Sequence, residues 1–253
     1  MDAYLKSILA LKKEKENDSS KINVIDIGCA RCGFINEFLV NYFKREKIKC
    51  VGVDPLLHPG KFSAKKAYNY YFQGCVDNVP KNLVKRENFY INADDQASSL
   101  LKINTDLFSS NLNKRQDKFY YPQPIINRLK IINEVKTVYV FHLGNIIDKC
   151  FDQEEIIDFI KIDAEGKDLE IVKSIKDYLP RIKYIGVECS SHQNKDLTLF
   201  KNSNNTIENN IAFFKENNFS IFEITDYGKK NNNLTQMSDI VFINNNFNNL
   251  NIN

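Results

Sequence analysis

The chain has 253 residues, 43% of them hydrophobic and 26% charged, enough for one large unit that buries its own core without disulfides or a structural metal. Its 35 basic residues nearly balance 32 acidic ones, and a net charge of +3 gives no case for nucleic acid as a partner. No apolar run is long enough to cross a bilayer, and the N-terminal stretch MDAYLKSILALKKEKEND is too short in apolar residues for a signal peptide, so a soluble, cytoplasmic protein is expected.

Residues 2–16 place Tyr4, Leu5, Ile8, Leu9 and Leu11 on roughly one side of a helix, which Asp18-Ser19-Ser20 breaks. INVIDI (22–27) reads as a short buried strand. A turn over residues 28–33, a helix FINEFLVNYFKREK and a strand IKCVGVDP (48–55) follow. This strand-turn-helix-strand order opens a doubly wound α/β sheet. In the middle, YYFQGCV (70–76), ENFYINA (87–93) and TVYVFHL (137–143) have strand composition, and a polar loop-and-helix region around 104–133 separates the last two. Regularity returns with a strand at 158–163, a helix at about 167–178 and a strand at 183–188. IENNIAFFKENN then predicts a helix, SIFEIT a strand, and DIVFIN (239–244) the last strand. The expected organisation is an N-terminal helix and linker (1–20), one domain (21–244) and an Asn-rich, disordered tail (245–253).

The turn NVIDIGCARCGF has two readings. Cys29 and Cys32 stand at metal-like spacing, but no second CxxC or nearby CxxH completes four ligands. They are better read as small residues filling a tight turn, and the six cysteines together as thiols of a reduced compartment. The other reading is a ligand turn. Glycine lets backbone approach a ligand where a Cβ would intervene, and ligands of parallel sheets sit at the carboxyl ends of the strands. Asp26 is placed to order the turn. Asp54, ending the second strand, is placed to accept both hydroxyls of a ribose. Gly28-x-Ala30-x-x-Gly33 departs from the G-x-G-x-x-G of dinucleotide sites. The turn alone leaves a dinucleotide, S-adenosylmethionine and an empty structural turn all open.

IDFIKIDAEGKDLEIVKS (157–174) carries more information. Lys161 and Asp163 are charged residues of an otherwise apolar strand, and alternation puts both on one face. A lone buried charge costs several kcal/mol, in rough terms, unless it is paired. They should therefore pair with each other, pair with a neighbouring strand, or line a pocket. Glu188, closing the strand YIGVE, is an available partner for Lys161.

VIDIGCARCGF, VGVDP, DDQASSLL, DFIKIDAEGKDLEIVKS, IGVE and DIVFIN, in this order over residues 22–244, resemble the FkbM family of S-adenosylmethionine-dependent methyltransferases. The resemblance implies a Rossmann-like, doubly wound, mostly parallel sheet with an antiparallel final strand. It also implies S-adenosylmethionine as cofactor and methyl transfer to a hydroxyl of a sugar, glycan or other small metabolite. Cofactor contacts then fall on Asp26, Gly28, Cys29, Ala30, Gly33, Phe34, Asp54, Pro55 and Asp95, and acceptor contacts on Ser98 and Ser99. Ala30 stands where the family commonly has Asn, and Cys32 where it has the last Gly. His142-Leu143-Gly144-Asn145 replaces a common Leu-Asp-Asp.

Methyl transfer to an alcohol needs alignment and a nearby base. Asp163, Glu165, Glu188 and His192 are the candidates. Asp163 is favoured, with Glu165 beside it and Lys161 neutralising it. His142 and His58 are weaker candidates, and Ser98 or Ser99 could equally cap a helix. Asp94 and Asp95 lack further ligands, so no metal is expected. The rival functions are an NAD-dependent oxidoreductase, a degenerate methyltransferase fold acting as a binding module, and an RNA methyltransferase, which the near-neutral charge disfavours. No membrane insertion and no nucleic-acid partner are expected. Acceptor and oligomeric state are not legible in the sequence.

Overall fold

The computed structural model describes residues 2–16, 18, 20–29, 33–56, 67–108, 123–190, 198–226 and 237–248. The first helix, α1 (Ala3–Glu14), is capped by Asp2, whose carboxylate accepts the backbone N–H groups of Tyr4 and Leu5. It buries Tyr4, Ile8 and Leu11. Then come β1 (Ile22–Ile27), a π-helical segment (Phe34–Leu39) continued by α2 (Val40–Tyr42), and β2 (Ile48–Asp54). The helix expected over 34–47 is thus shorter and π-wound at its start. The run YYFQGCV is two strands rather than one: β3 (Tyr70–Gln73) and β4 (Cys75–Val76) belong to different sheets, and Gly74 marks the break. A side chain at Gly74 would collide with the Phe141 ring and the Tyr139 carbonyl.

The remaining elements are β5 (Lys85–Asn92), α3 (Gln123–Leu129), β6 (Ile132–Phe141), α4 (Leu143–Cys150), β7 (Ile157–Ile162), α5 (Asp168–Ser174), β8 (Ile182–Ser190), α6 (Ile207–Glu216), β9 (Phe219–Asp226) and β10 (Met237–Asn244). The helix expected to reach 178 ends at Ser174 and continues as a 3₁₀ turn, Lys176–Arg181, which carries Pro180.

Seven strands form the main sheet in the order β3-β2-β1-β7-β8-β10-β9. The first five are parallel, and β10 runs antiparallel to both β8 and β9. β1 is buried at every position, as a central parallel strand covered on both faces must be. One face packs Ile25, Ile160, Ile185 and Val187 against α4 and α5. The other packs Val24, Phe159 and Tyr184 against α1 and the π-helical segment. The second sheet has three strands, β4-β6-β5, inserted between β3 and α4. Cys29, Cys50, Cys75, Cys150 and Cys189 are buried free thiols. In the Asn-rich tail, Asn245–Phe247 is not disordered. It forms a 3₁₀ turn whose cap is the Asn244 side chain, which also donates to the carbonyls of Leu179 and Ile182. Residues 249–253 lie outside the described residues. No described helix is long and apolar enough to cross a membrane.

Candidate active site

The order of the strands puts the carboxyl ends of β1, β2 and β7 side by side, and the turns that leave them converge. Gly28 begins the first turn with φ +75°, and a Cβ there would stand 1.9 Å from the carbonyl oxygen of Asp163. Only glycine permits this approach of the β1 turn to the end of β7. The turn is tied down on both sides: the Gly28 N–H donates to the Val53 carbonyl at 3.0 Å, and the Asp163 N–H to the Ile27 carbonyl at 3.2 Å.

A cleft opens over this junction, with about 410 Å³ of space counted to its open mouth. Gly28, Asp54, Pro55, Ser98, Asp163 and Lys167 are among its lining. Asp54 ends β2, and its Oδ1 accepts the Leu56 N–H at 2.7 Å. The cleft residues suit an adenosyl group: a close backbone turn without a Cβ, and a carboxylate at the next strand end.

Beneath the turn lies a charged row. In register across the sheet stand Gly52, Asp26, Lys161 and Gly186. The Lys161 ammonium donates to Asp163 Oδ2 at 3.0 Å and lies 3.7 Å from Asp26 Oδ1. The Tyr68 hydroxyl donates to Asp26 Oδ2 at 2.6 Å. Its ring occupies the space that a side chain at Gly52 would fill. Lys161 therefore pairs with Asp163, one of the arrangements the sequence left open, and across the ladder with Asp26 rather than Glu188. In a parallel register Asp26 is its nearest cross-strand neighbour. Burial alone would lower the Lys161 pKa, but Asp163 and Asp26 more than offset this and hold it above its usual range. Burial raises the Asp26 pKa, while Lys161 and the Tyr68 hydroxyl pull the other way.

The turn after β7 carries a second group of acids. Glu165 sits in left-handed backbone at φ +52°, and its carbonyl accepts the Ser99 hydroxyl at 2.8 Å. One oxygen each from Asp163, Glu165 and Glu188 lie within 4.8 Å of one another. Burial raises the Glu165 pKa well above the carboxylate range, and the Glu188 charge adds to it. For Glu188 the causes are burial and then Asp163. Such a grouping is relieved by a shared proton or by a hard cation. No local spacing announces this grouping, because the three acids come from two separate strand ends. Asp168 is fully buried and was not singled out from the sequence. It accepts the Ala164 and Glu188 N–H groups and the Asn205 amide, locking the β7 turn to β8. Lys167 was missed as well; it reaches Asp77 beyond β4 at 2.8 Å, joining the two sheets across the cleft. Neither had a local sequence signal, since each acts through a partner distant in sequence.

Several expected contacts are corrected. Phe34 does not face the cleft: it is buried in the apolar layer, its ring 5.2 Å from Phe159 and 5.6 Å from Tyr4. The Cys29 side chain is likewise turned inward, near Gly52, and burial pushes its thiol pKa up. Only the backbone of these two residues remains for a ligand. Ser98 lines the cleft, but the Ser99 hydroxyl is engaged by Glu165. Neither caps a helix; Ser99 pairs with Tyr90 at the edge of β5. His142 caps α4, its Nδ1 accepting the Gly144 N–H at 2.9 Å. Gly33 opens the π-helical segment. Ala30, Cys32, His58, His192 and the Asp95 side chain lie outside the described residues.

Strand order and the converging turns define a Rossmann-like methyltransferase domain. A sequence profile of the methyltransferase FkbM domain matches residues 26–221, and the chain belongs to that family. No curated protein matches it. Among solved structures it is similar to an S-adenosylmethionine-dependent methyltransferase from Aquifex aeolicus, at 12% identity and TM-score 0.33, covering 92% of this chain and 88% of that one. It is also similar to magnesium protoporphyrin IX methyltransferase from Synechocystis with bound S-adenosylhomocysteine, at 7% identity and TM-score 0.36, covering 95% and 83%. A third is a cyclopropane-fatty-acyl-phospholipid synthase-like protein from Lactobacillus casei, at 9% identity and TM-score 0.39, covering 95% and 89%. Likenesses this distant say nothing about acceptor or residue roles.

Proposed function

We propose that this FkbM-family protein uses S-adenosylmethionine to methylate a hydroxyl of a sugar, a glycan or another small metabolite. The observation that carries the reading is the meeting, at one junction, of the Gly28 turn, the Asp54 carboxylate and the Lys161-paired Asp163. Family membership sets aside the oxidoreductase alternative. The cofactor, when bound, supplies a methyl group on an electrophilic sulfonium. The Gly28 turn and the backbone of Cys29 would hold its amino-acid end, and Asp54 and Pro55 its ribose.

The protein's own work is alignment, exclusion of water and management of one proton. Asp163 is the base or orienting carboxylate. Lys161 pairs with it and fixes its direction, while Ser99 holds the Glu165 backbone beside it. The Glu165 and Glu188 carboxyl groups offer acceptors to further hydroxyls of the same molecule, which favours a polyol over a lone alcohol. Ser98 contributes a hydroxyl on the opposite wall.

Isothermal titration with S-adenosylhomocysteine tests the core of this. Micromolar binding is expected, lost in Asp54→Ala, with no heat from NAD. Absence of binding by the unmodified chain would leave a methyltransferase fold without its cofactor, and the proposal would fall.

A further inference from the structure

The inserted sheet leaves a strand edge uncovered among the described residues. β6 pairs with β5 along most of its length, but β4 meets its other side only at Val140 and Phe141. Residues 132–137 are exposed at every position, on both faces. Ile131, Ile132, Val135 and Tyr139 all stand in solvent, Val135 at 50% exposure. Open ladder groups flanked by apolar side chains form a template for another strand.

The residues along this edge match a reversed copy of themselves. Consider two β6 strands pairing antiparallel about a two-fold axis at Val135. Glu134 of each copy then faces Lys136 of the other, and Val135 faces Val135. The match is confined to this central stretch, because the register of β6 against β5 shifts between Glu134 and Ile132. Opposed residues in such a pair share a face of the sheet, so charges meet charges and apolar groups meet apolar groups. Moving the axis one position either way sets Lys136 against Lys136 or Glu134 against Glu134. The register is therefore selected by sequence as well as by edge. Within one chain Glu134 and Lys136 meet at 3.4 Å in solvent, where an ion pair contributes little.

We propose that two copies of this chain join edge to edge through β6, two-fold at Val135, so that the two inserted sheets become one of six strands. An interface that uses one patch twice is the ordinary form of a closed dimer. It lies close to the chemistry: Phe89, the β5 partner of Lys136, lines the cleft, so each copy braces a wall of the other's neighbouring sheet. The inference is independent of the cofactor reading.

Sedimentation of the full chain over roughly 1–100 µM, where specific pairs of moderate strength associate, reads the dimer directly. The unmodified chain should form a concentration-dependent dimer. Glu134→Lys and Lys136→Glu should each weaken it by about tenfold or more, and the double change Glu134→Lys with Lys136→Glu should restore it, because the charges then face each other exchanged. Thermal melting of each variant, all altered at exposed positions, separates a lost interface from a lost fold. A monomer throughout the range overturns the proposal. So does a dimer indifferent to the single changes, or one that the double change fails to recover.

Discussion

Two strands of this molecule carry a lysine two residues from a carboxylate, with opposite consequences. On β7, Lys161 and Asp163 meet at 3.0 Å, with the lysine side chain 12% exposed. On β6, Glu134 and Lys136 meet at 3.4 Å, with the lysine 48% exposed. The spacing is the same, and alternation puts each pair on one face of its strand. The difference is what lies around them. β7 is a central strand of a sheet covered on both faces, and its lysine must also compensate the buried Asp26 across the ladder. β6 belongs to an insertion with an open edge, and its pair is surrounded by water. An ion pair in the first setting holds a site together; in the second it decorates a surface until something covers it.

The buried end can be broken hardest at the turn that closes over it. Gly28→Ala places a methyl against the Asp163 carbonyl, and its left-handed backbone alone costs about 1–3 kcal/mol. Either the fold bears it, and the melting temperature drops, or the turn moves and affinity for S-adenosylhomocysteine falls on the order of 100-fold. A variant normal in both would show that the turn has room this structure denies it.

The two lysines themselves give the next test. Lys161→Met leaves Asp26 buried with only the Tyr68 hydroxyl, and should cost about 3–5 kcal/mol in denaturant unfolding. Lys136→Met, measured in dilute protein, should stay within about 0.5 kcal/mol. Equal costs would erase the distinction between the two pairs.

A smaller effect sharpens the picture through pH. Glu165 and Glu188 have folded pKa values raised above their ordinary 4.5, so in that window the native state holds protons that the unfolded chain has released. Stability must then decline as pH rises above about 4.5 and through the raised values. Glu188→Gln removes one of these charges. Its melting temperature should exceed that of the unmodified chain at neutral pH, with the gap closing toward pH 4.5. A gap that stays constant with pH would mean that the acids are not coupled to folding.

Much of this is legible in the amino-acid sequence alone. Apolar runs bounded by turn residues marked β1, β2, β7, β8 and β10 to within a residue or two, because strands buried on both faces read as continuous hydrophobic segments. The charged positions in DFIKIDAEG announced a site, since charge in such a strand requires a reason. The insertion was harder. Its strands alternate weakly, β3 and β4 run together in sequence, and nothing local says that Gly74 sends them to different sheets.

The sequence by itself determined the doubly wound core, the family and the residues at the strand ends, all properties of local pattern. Tertiary structure decided the pairings. Strand register placed Asp26, not Glu188, beside Lys161; packing turned Phe34 and Cys29 inward; and convergence of two strand ends made Asp163, Glu165 and Glu188 neighbours. Register and convergence depend on which strands lie side by side, and that is settled by burying the whole apolar surface at once, not by any one segment.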